Sequence, residues 1–271
     1  MASAFLDDRG VLSVSGEEAR SFLQGLVTCN MDKVSPEAAG FGALLSPQGK
    51  ILFDFLIVEE PEGFLIETGS DAVSALLKRL SMYRLRAKVT LEERPDLGVV
   101  ALWDGATSEG LVFDDPRHAG LGRRAILPRL EAQAHNHDDY ETHRILCGVP
   151  KGGLDFAYGE AFPHDADMDL IHGLDFKKGC YIGQEVVSRV EHRGTARKRI
   201  VPIALRGPAP APGTEIRAGD IAIGTMGSAT SAGRALAMIR LDKAEEALAN
   251  ATPLIAGGAI VELLPAHMVR A

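Results

Sequence analysis

Residues 177–185 read "KKGCYIGQE": a double lysine, a cysteine between glycine and tyrosine, then glycine, glutamine and glutamate. Neither a generic helix nor a generic strand asks for that order, because closely spaced glycines cost backbone entropy that packing must recover. A thiol has a reference pKa of about 8.5, and neighbouring cations favour the thiolate. Lys177 and Lys178 beside Cys180 therefore describe a nucleophilic, oxidisable sulfur suited to soft metals. A cysteine that is simply a small buried hydrophobe leaves the lysines without a purpose. Gly179 and Gly183 permit positive φ or close approach of a ligand. Tyr181, Gln184 and Glu185 suit a ligand contact and a structural network equally.

Working outward, the run from Lys177 to Arg199 is strongly basic. Lys177, Lys178, Arg189, Arg193, Arg197, Lys198 and Arg199 face only Glu185 and Glu191. Such a run is either a receiver for an anionic ligand or a solvated charged loop. The whole chain is acidic, with a formal net charge of -8 over 271 residues, which argues against indiscriminate binding to nucleic acid. An apolar fraction of 46% supports sizeable cores. No stretch approaches a membrane span, and the opening "MASAFLDDRG" carries aspartates where a secretory leader has basic residues and an apolar run. Cys29, Cys147 and Cys180 are odd in number and far apart, so neither a disulfide framework nor a self-contained zinc site is indicated. A reducing cytoplasm is the expected setting, without a membrane.

The rest of the chain alternates strand and helix signals. "VLSVSG" alternates like a strand, and Ser15 and Glu18 have capping-box spacing ahead of Ala19, Phe22, Leu23, Leu26 and Val27. "FGALLS", "ILFDFLIVEE" and "GFLIET" read as strands joined by Pro-Gln-Gly and Pro-Glu-Gly turns. A helix follows, with Ser70 and Asp71 as candidate caps and Val73, Leu76, Leu77 and Leu80 inward. "KVTLEE", "LGVVALWDG", "GLVFDD" and "RRAILP" are further strands, and "DDYETHRILCGV" a helix capped by Asp138 or Asp139. After the turn "RGPAPAPG", short glycine-punctuated strands predict a small closed or half-closed barrel. The fold class is α+β, divided as 1–95, 96–199 and 200–271. The His135 and His137 pair and the His164 to Asp169 segment lack the ligand spacing of zinc or calcium sites and read as polar loops.

"KKGCYIGQEVVSR" resembles the signature of the YgfZ-type folate-binding proteins, the iron-sulfur maturation branch of the aminomethyltransferase (glycine cleavage T-protein) superfamily. "FLQGLVTCNM", "SPQGKILFDF", "RILCGVP" and the glycine-punctuated tail resemble that family's other segments, in order. The resemblance implies a three-lobed ring of two α+β domains and a small C-terminal β-barrel around a folate-binding central channel. It implies tetrahydrofolate or a derivative as cofactor, and iron-sulfur assembly proteins and [4Fe-4S] enzymes, including tRNA-modifying ones, as partners. Cys180 and Lys178 are then the reactive pair. Gly179, Tyr181, Gly183, Gln184 and Glu185, with Arg189 and Arg193 for the anionic tail, are the folate contacts. No resident metal is expected, because a cubane cluster takes four thiolates and Cys180 would need ligands from a partner.

The competing reading is a folate-dependent aminomethyltransferase. Its catalytic carboxylate would correspond to Asp54 in "GKILFDF", where Phe53 replaces a first aspartate, and its pterin-holding glutamate is replaced by Leu146 in "RILCG". A third reading is a ligand-free interaction protein that keeps the scaffold.

Overall fold

The architecture is that of a computed structural model, which describes residues 1–135, 139–194 and 196–264. The chain forms two compact units. The first comprises Met1–Tyr140 with Asp169–Gln184, and the second Glu141–Met168 with Glu185–Ala271.

In the first unit, strands β1 (Ala2–Phe5) and β2 (Arg9–Ser15) lead to helix α1 (Ala19–Gln24). A meander follows, β3 (Gly40–Leu45), β4 (Ile51–Glu60) and β5 (Gly63–Gly69), then α2 (Val73–Arg84) and β6 (Thr90–Glu93). Next come β7 (Leu97–Trp103), β8 (Leu111–Asp114), β9 (Arg123–Pro128) and the single turn α3 (Arg129–Ala132). Two antiparallel sheets result, ordered β3-β4-β5-β2-β6 and β1-β7-β9-β8. The first strand thus pairs with β7, Ala4 opposite Ala101, and not with its neighbour in sequence.

Period-two alternation gives the five-stranded sheet two characters. One face sets Leu12, Val14, Phe55, Ile57, Phe64 and Ile66 against Leu23 of α1 and Leu76 and Leu80 of α2. The other carries Glu67, which is 1% exposed, and meets Arg124 of β9. Arg9 donates to Glu67 at 2.9 Å, Arg124 to Asp115 at 3.2 Å, and Arg117 grips Asp115 at 2.9 and 2.6 Å. Tyr140 accepts from Arg124 at 2.5 Å. Desolvation pushes the Asp115 carboxyl up, but Arg117 and Arg124 outweigh it and hold it at about 2. Paired burial of this kind restricts which arrangements the sheets tolerate more than it adds stability.

The second unit holds a closed barrel ordered β10-β13-β12-β11-β14-β15, as the glycine-cut strands led one to expect. Its segments are β10 (Lys198–Arg206), β11 (Glu215–Ala218), β12 (Ile221–Ala229), β13 (Arg234–Arg240), helix α6 (Leu241–Ala249), β14 (Leu254–Ala256) and β15 (Ala259–Leu263). Isoleucines 203, 216, 223 and 239 fill its interior. Helix α4 (Tyr140–Leu146) reaches into this unit, where Arg144 donates to Asp155 at 2.8 Å. Asp155 in turn accepts the Ser228 amide and hydroxyl at 2.6 and 2.7 Å. Gly227 makes room for that clasp, since a Cβ there would lie 2.4 Å from the Asp155 carboxylate. Helix α5 (Gln184–Arg193) completes the set.

Two capping expectations fail. Glu18 itself occupies the N-cap of α1, and its carboxylate accepts the Lys88 amide at 2.6 Å, so no Ser15–Glu18 box forms. The helix ends at Gln24, and Val27 bridges to Leu44 instead. At α2 the N-cap is Ala72, without a side-chain cap from Ser70 or Asp71. Asp138 lies outside the described residues.

Candidate functional site

The signature enters on an irregular segment fastened to the loop after α1. Thr28 is fully buried and makes the joint. Its hydroxyl donates to the Gly173 carbonyl at 2.6 Å and accepts the Ala43 amide at 2.8 Å, while its own carbonyl accepts the Asp175 amide at 3.1 Å. Asp175 then organises the approach to the lysines. Its Oδ1 accepts the amides of Lys177 and Lys178 at 2.8 and 3.0 Å, the local bonding that short acidic side chains favour in turns. Its Oδ2 accepts the Lys33 ammonium at 2.7 Å. Burial pushes the Asp175 carboxyl up, and the Lys33 and backbone hydrogen bonds bring it below the usual range.

Lys178 does something its sequence neighbourhood did not indicate. It is 6% exposed, and its ammonium donates to the carbonyls of Val27 and Cys29 at 2.5 and 2.7 Å. The ring of Tyr181 lies 5.3 Å from the same nitrogen. Desolvation pushes the Lys178 ammonium down to about 8. The lysine assigned to activating Cys180 is thus engaged in pinning the 27–29 loop beneath the signature. Cys180 itself is exposed, whereas Cys29 is buried and its thiol pushed by desolvation to about 11.

The remaining signature residues divide by side. Tyr181 is buried with its hydroxyl unpartnered among the described residues, and desolvation pushes it up to about 12. Ile182 packs on the helical core. Gly183 has φ of 81°, and a Cβ there would lie 2.6 Å from the Ser46 carbonyl, so its glycine is required by the Ser46–Gly49 turn. A Cβ on Gly179 would meet nothing within 4 Å. Gln184 opens α5, and Glu185, Arg189 and Arg193 follow at four-residue spacing on its solvent side. Asp54 is buried in β4 opposite Ala43, one strand pair from the loop that Thr28 anchors.

Beside Asp175 opens a cavity of about 270 Å³, lined by Cys29, Asn30, Lys33, Phe41, His172 and Asp175, with Val34, Pro116 and Leu174 among its apolar walls. Apolar walls with a few placed polar groups are the ordinary make-up of a small-molecule site. Thr28, Cys29, Lys33 and Asp175 were missed from the sequence. The detectable hint was Asp175 itself, an aspartate two residues ahead of the double lysine in "DFKKG".

Comparison with known proteins narrows the resemblance. A family model described as the C-terminal β-barrel domain of CAF17 matches residues 197–270. The fold is shared along nearly the whole chain with the glycine cleavage system aminomethyltransferase T from Bartonella henselae, at a TM-score of 0.76 and 13% identity, covering 99% of this chain and 86% of that one. The mitochondrial iron-sulfur cluster assembly factor IBA57 of Homo sapiens is 36% identical over 240 residues, covering 77% of this chain and 67% of that protein. The Mus musculus protein of the same name is 33% identical over 279 residues, covering 90% of this chain and 75% of its own length. These relatives are mitochondrial, which corrects the expectation of a cytoplasmic protein. That expectation rested on widely spaced thiols and on the acidic opening of the chain, and neither separates one reducing compartment from another. On this sequence likeness, carried through both units, the chain belongs to the IBA57 family of iron-sulfur cluster assembly factors.

Proposed function

We propose that this protein is an accessory factor of iron-sulfur cluster assembly that binds a reduced folate in the cavity beside Asp175 and presents Cys180 to a cluster carried by a partner. The observation that carries the reading is the two-sidedness of the signature. Lys178 and Tyr181 are buried and hold the loop, while Cys180 stands exposed at its turn. A thiol displayed on a pinned loop suits delivery or completion of a cluster, and since a cubane takes four thiolates, the partner supplies the others. The clients are [4Fe-4S] enzymes, tRNA-modifying ones among them.

The cavity fits the ligand chemistry. Phe41, Val34 and Leu174 offer apolar faces to a pterin ring, and Asn30 and Asp175 offer partners to its amide edge. The buried Tyr181 hydroxyl, without a partner among the described residues, is a further polar group that a ligand near this loop would satisfy. The folate supplies a bound one-carbon carrier. The chain's own residues orient it, and Lys33 and His172 at the cavity wall offer cationic or polar contacts to its carboxylates.

The test is calorimetric titration of tetrahydrofolate into the reduced protein, Asp175→Asn and Cys180→Ala, with anaerobic cluster transfer to an apo [4Fe-4S] enzyme measured in parallel. The expected pattern is weakened folate binding in Asp175→Asn alone, and lost transfer with intact folate binding in Cys180→Ala. Unchanged transfer in Cys180→Ala overturns the thiol's role. Turnover of an aminomethyl donor that depends on Asp54 replaces the reading with one-carbon transfer.

A further inference from the structure

Helix α2 presents its second side to solvent. Val73, Leu76 and Leu80 face the core, while Ser74, Lys78, Ser81 and Met82 are exposed. Between Ala72 and Leu91 the chain has no acidic residue but contains Lys78, Arg79, Arg84, Arg86 and Lys88. Lys88 pairs with Glu17 at 2.8 Å, whereas the other four have no ion-pair partner among the described residues. Four cations without an ion-pair partner among the described residues, spread from mid-helix to just past the end of α2, stand out in a chain whose net charge is -8.

Two large apolar side chains sit among them, Met82 at 62% and Leu85 at 89% exposure. Leu85 is also in an unfavourable backbone conformation, with φ of 44° and ψ of -101° at the C-cap of α2. Glycine is the ordinary residue where a helix ends with positive φ, and a bulky L-residue there is strained. The helix dipole accounts for arginines in the last turn. It accounts neither for Lys78 and Arg79 further back nor for a strained leucine held in water.

We propose that this end of α2 is a docking surface for an acidic protein partner, whose carboxylates meet Lys78, Arg79, Arg84 and Arg86 around an apolar socket for Met82 and Leu85. Charge complementarity selects the occupant. An acidic chain repels an acidic partner over most of its surface and receives it at a basic tip such as this one, which orients the encounter. A bilayer calls for a broad apolar face, and here Lys78 and two arginines interrupt it. Nucleic acid would use the cations but leaves Met82 and Leu85 without a role. This surface is independent of the folate cavity and of Cys180.

The experiment uses the full chain with methyl-labelled methionine, the Met82 signal being identified from Met82→Leu. The probe is a synthetic amphipathic helix with leucines on one face and glutamates around them. Phosphatidylcholine vesicles containing phosphatidylglycerol, and single-stranded RNA, are titrated separately. Peptide binding is expected to move the Met82 methyl and to weaken with added salt. It should weaken by about tenfold or more in the Arg84→Glu, Arg86→Glu double variant, fall in Leu85→Gly, and be unchanged in Cys180→Ala. The proposal is overturned by an unmoved Met82 signal, by indifference to the charge reversal, or by vesicles or RNA binding more tightly than the peptide.

Discussion

Replacing Lys178 by methionine removes the pin between the signature and the loop after α1, and the structure sets both the size of the effect and its pH dependence. The variant strips a donor from the carbonyls of Val27 and Cys29. Each buried carbonyl left short costs about 1–3 kcal/mol. Against that, the ammonium's own burial is relieved. Desolvation lowers its pKa from 10.5 to about 8, and each unit corresponds to about 1.4 kcal/mol, so roughly 3 kcal/mol is returned. Near neutral pH the two largely offset each other, and Lys178→Met should be destabilised by no more than about 3 kcal/mol.

The pH dependence is the sharper test. Between the folded and unfolded pKa values the unfolded chain binds the extra proton, so the wild type gains stability as pH rises through that window. The gain is about 2 kcal/mol between roughly pH 7.5 and pH 10, and methionine cannot show it. Urea unfolding of both proteins across that range should give a stability difference that widens with pH, other titrations cancelling between them. A difference that stays flat, or narrows, would refute the assignment of Lys178 as a buried, desolvated ammonium.

Three further outcomes are expected. Thr28→Val leaves the Gly173 carbonyl and Ala43 amide without partners in a fully buried site. It should cost about 2–4 kcal/mol in urea melts and weaken tetrahydrofolate binding through the displaced Asp175. Gly183→Ala forces a Cβ to 2.6 Å from the Ser46 carbonyl at φ of 81°. It should destabilise by about 2 kcal/mol or more, and wild-type stability would show that the turn yields. Leu85→Gly releases a strained residue, and should raise unfolding free energy by about 1 kcal/mol after glycine's entropy is deducted, a gain that differential scanning calorimetry detects.

Much of the architecture was legible because the deciding signals are local. The apolar, β-rich runs "ILFDFLIVEE" and "GFLIET" on either side of a Pro-Glu-Gly turn mark β4 and β5, and their register, Ile57 opposite Ile66, follows from that short turn. Glycine-cut segments after residue 213 gave the barrel. The misses share a cause, which is that a partner far away in sequence decided the outcome. "ASAF" is too short to declare itself and becomes β1 only through β7. Residues 198–206 carry no strand reading from the sequence, yet β10 runs through them with Pro202 opposite Leu236, and the Pro202 carbonyl accepts the Leu264 amide. Lys178 was read beside Cys180 because they are near neighbours. Its ammonium answers to carbonyls about 150 residues upstream, and no local rule locates those. Asp175 was overlooked for the converse reason, since its motif matters only because Thr28 fixes where the turn sits.

The interrupted make-up of the first unit has a consequence for synthesis. Residues 169–184 belong to it but are translated after 141–168, which belong to the other unit. As the chain leaves the ribosome, the 27–29 loop emerges early and waits for Lys178, with its carbonyls open to water. At roughly 5–20 residues per second the wait lasts seconds, and Cys29 spends that interval outside the enclosure that later raises its pKa. The cavity beside Asp175 is therefore a late product of translation. A ribosome stalled before residue 178 holds a nascent chain with the first unit's two sheets encoded but the cavity beside Asp175 not yet assembled.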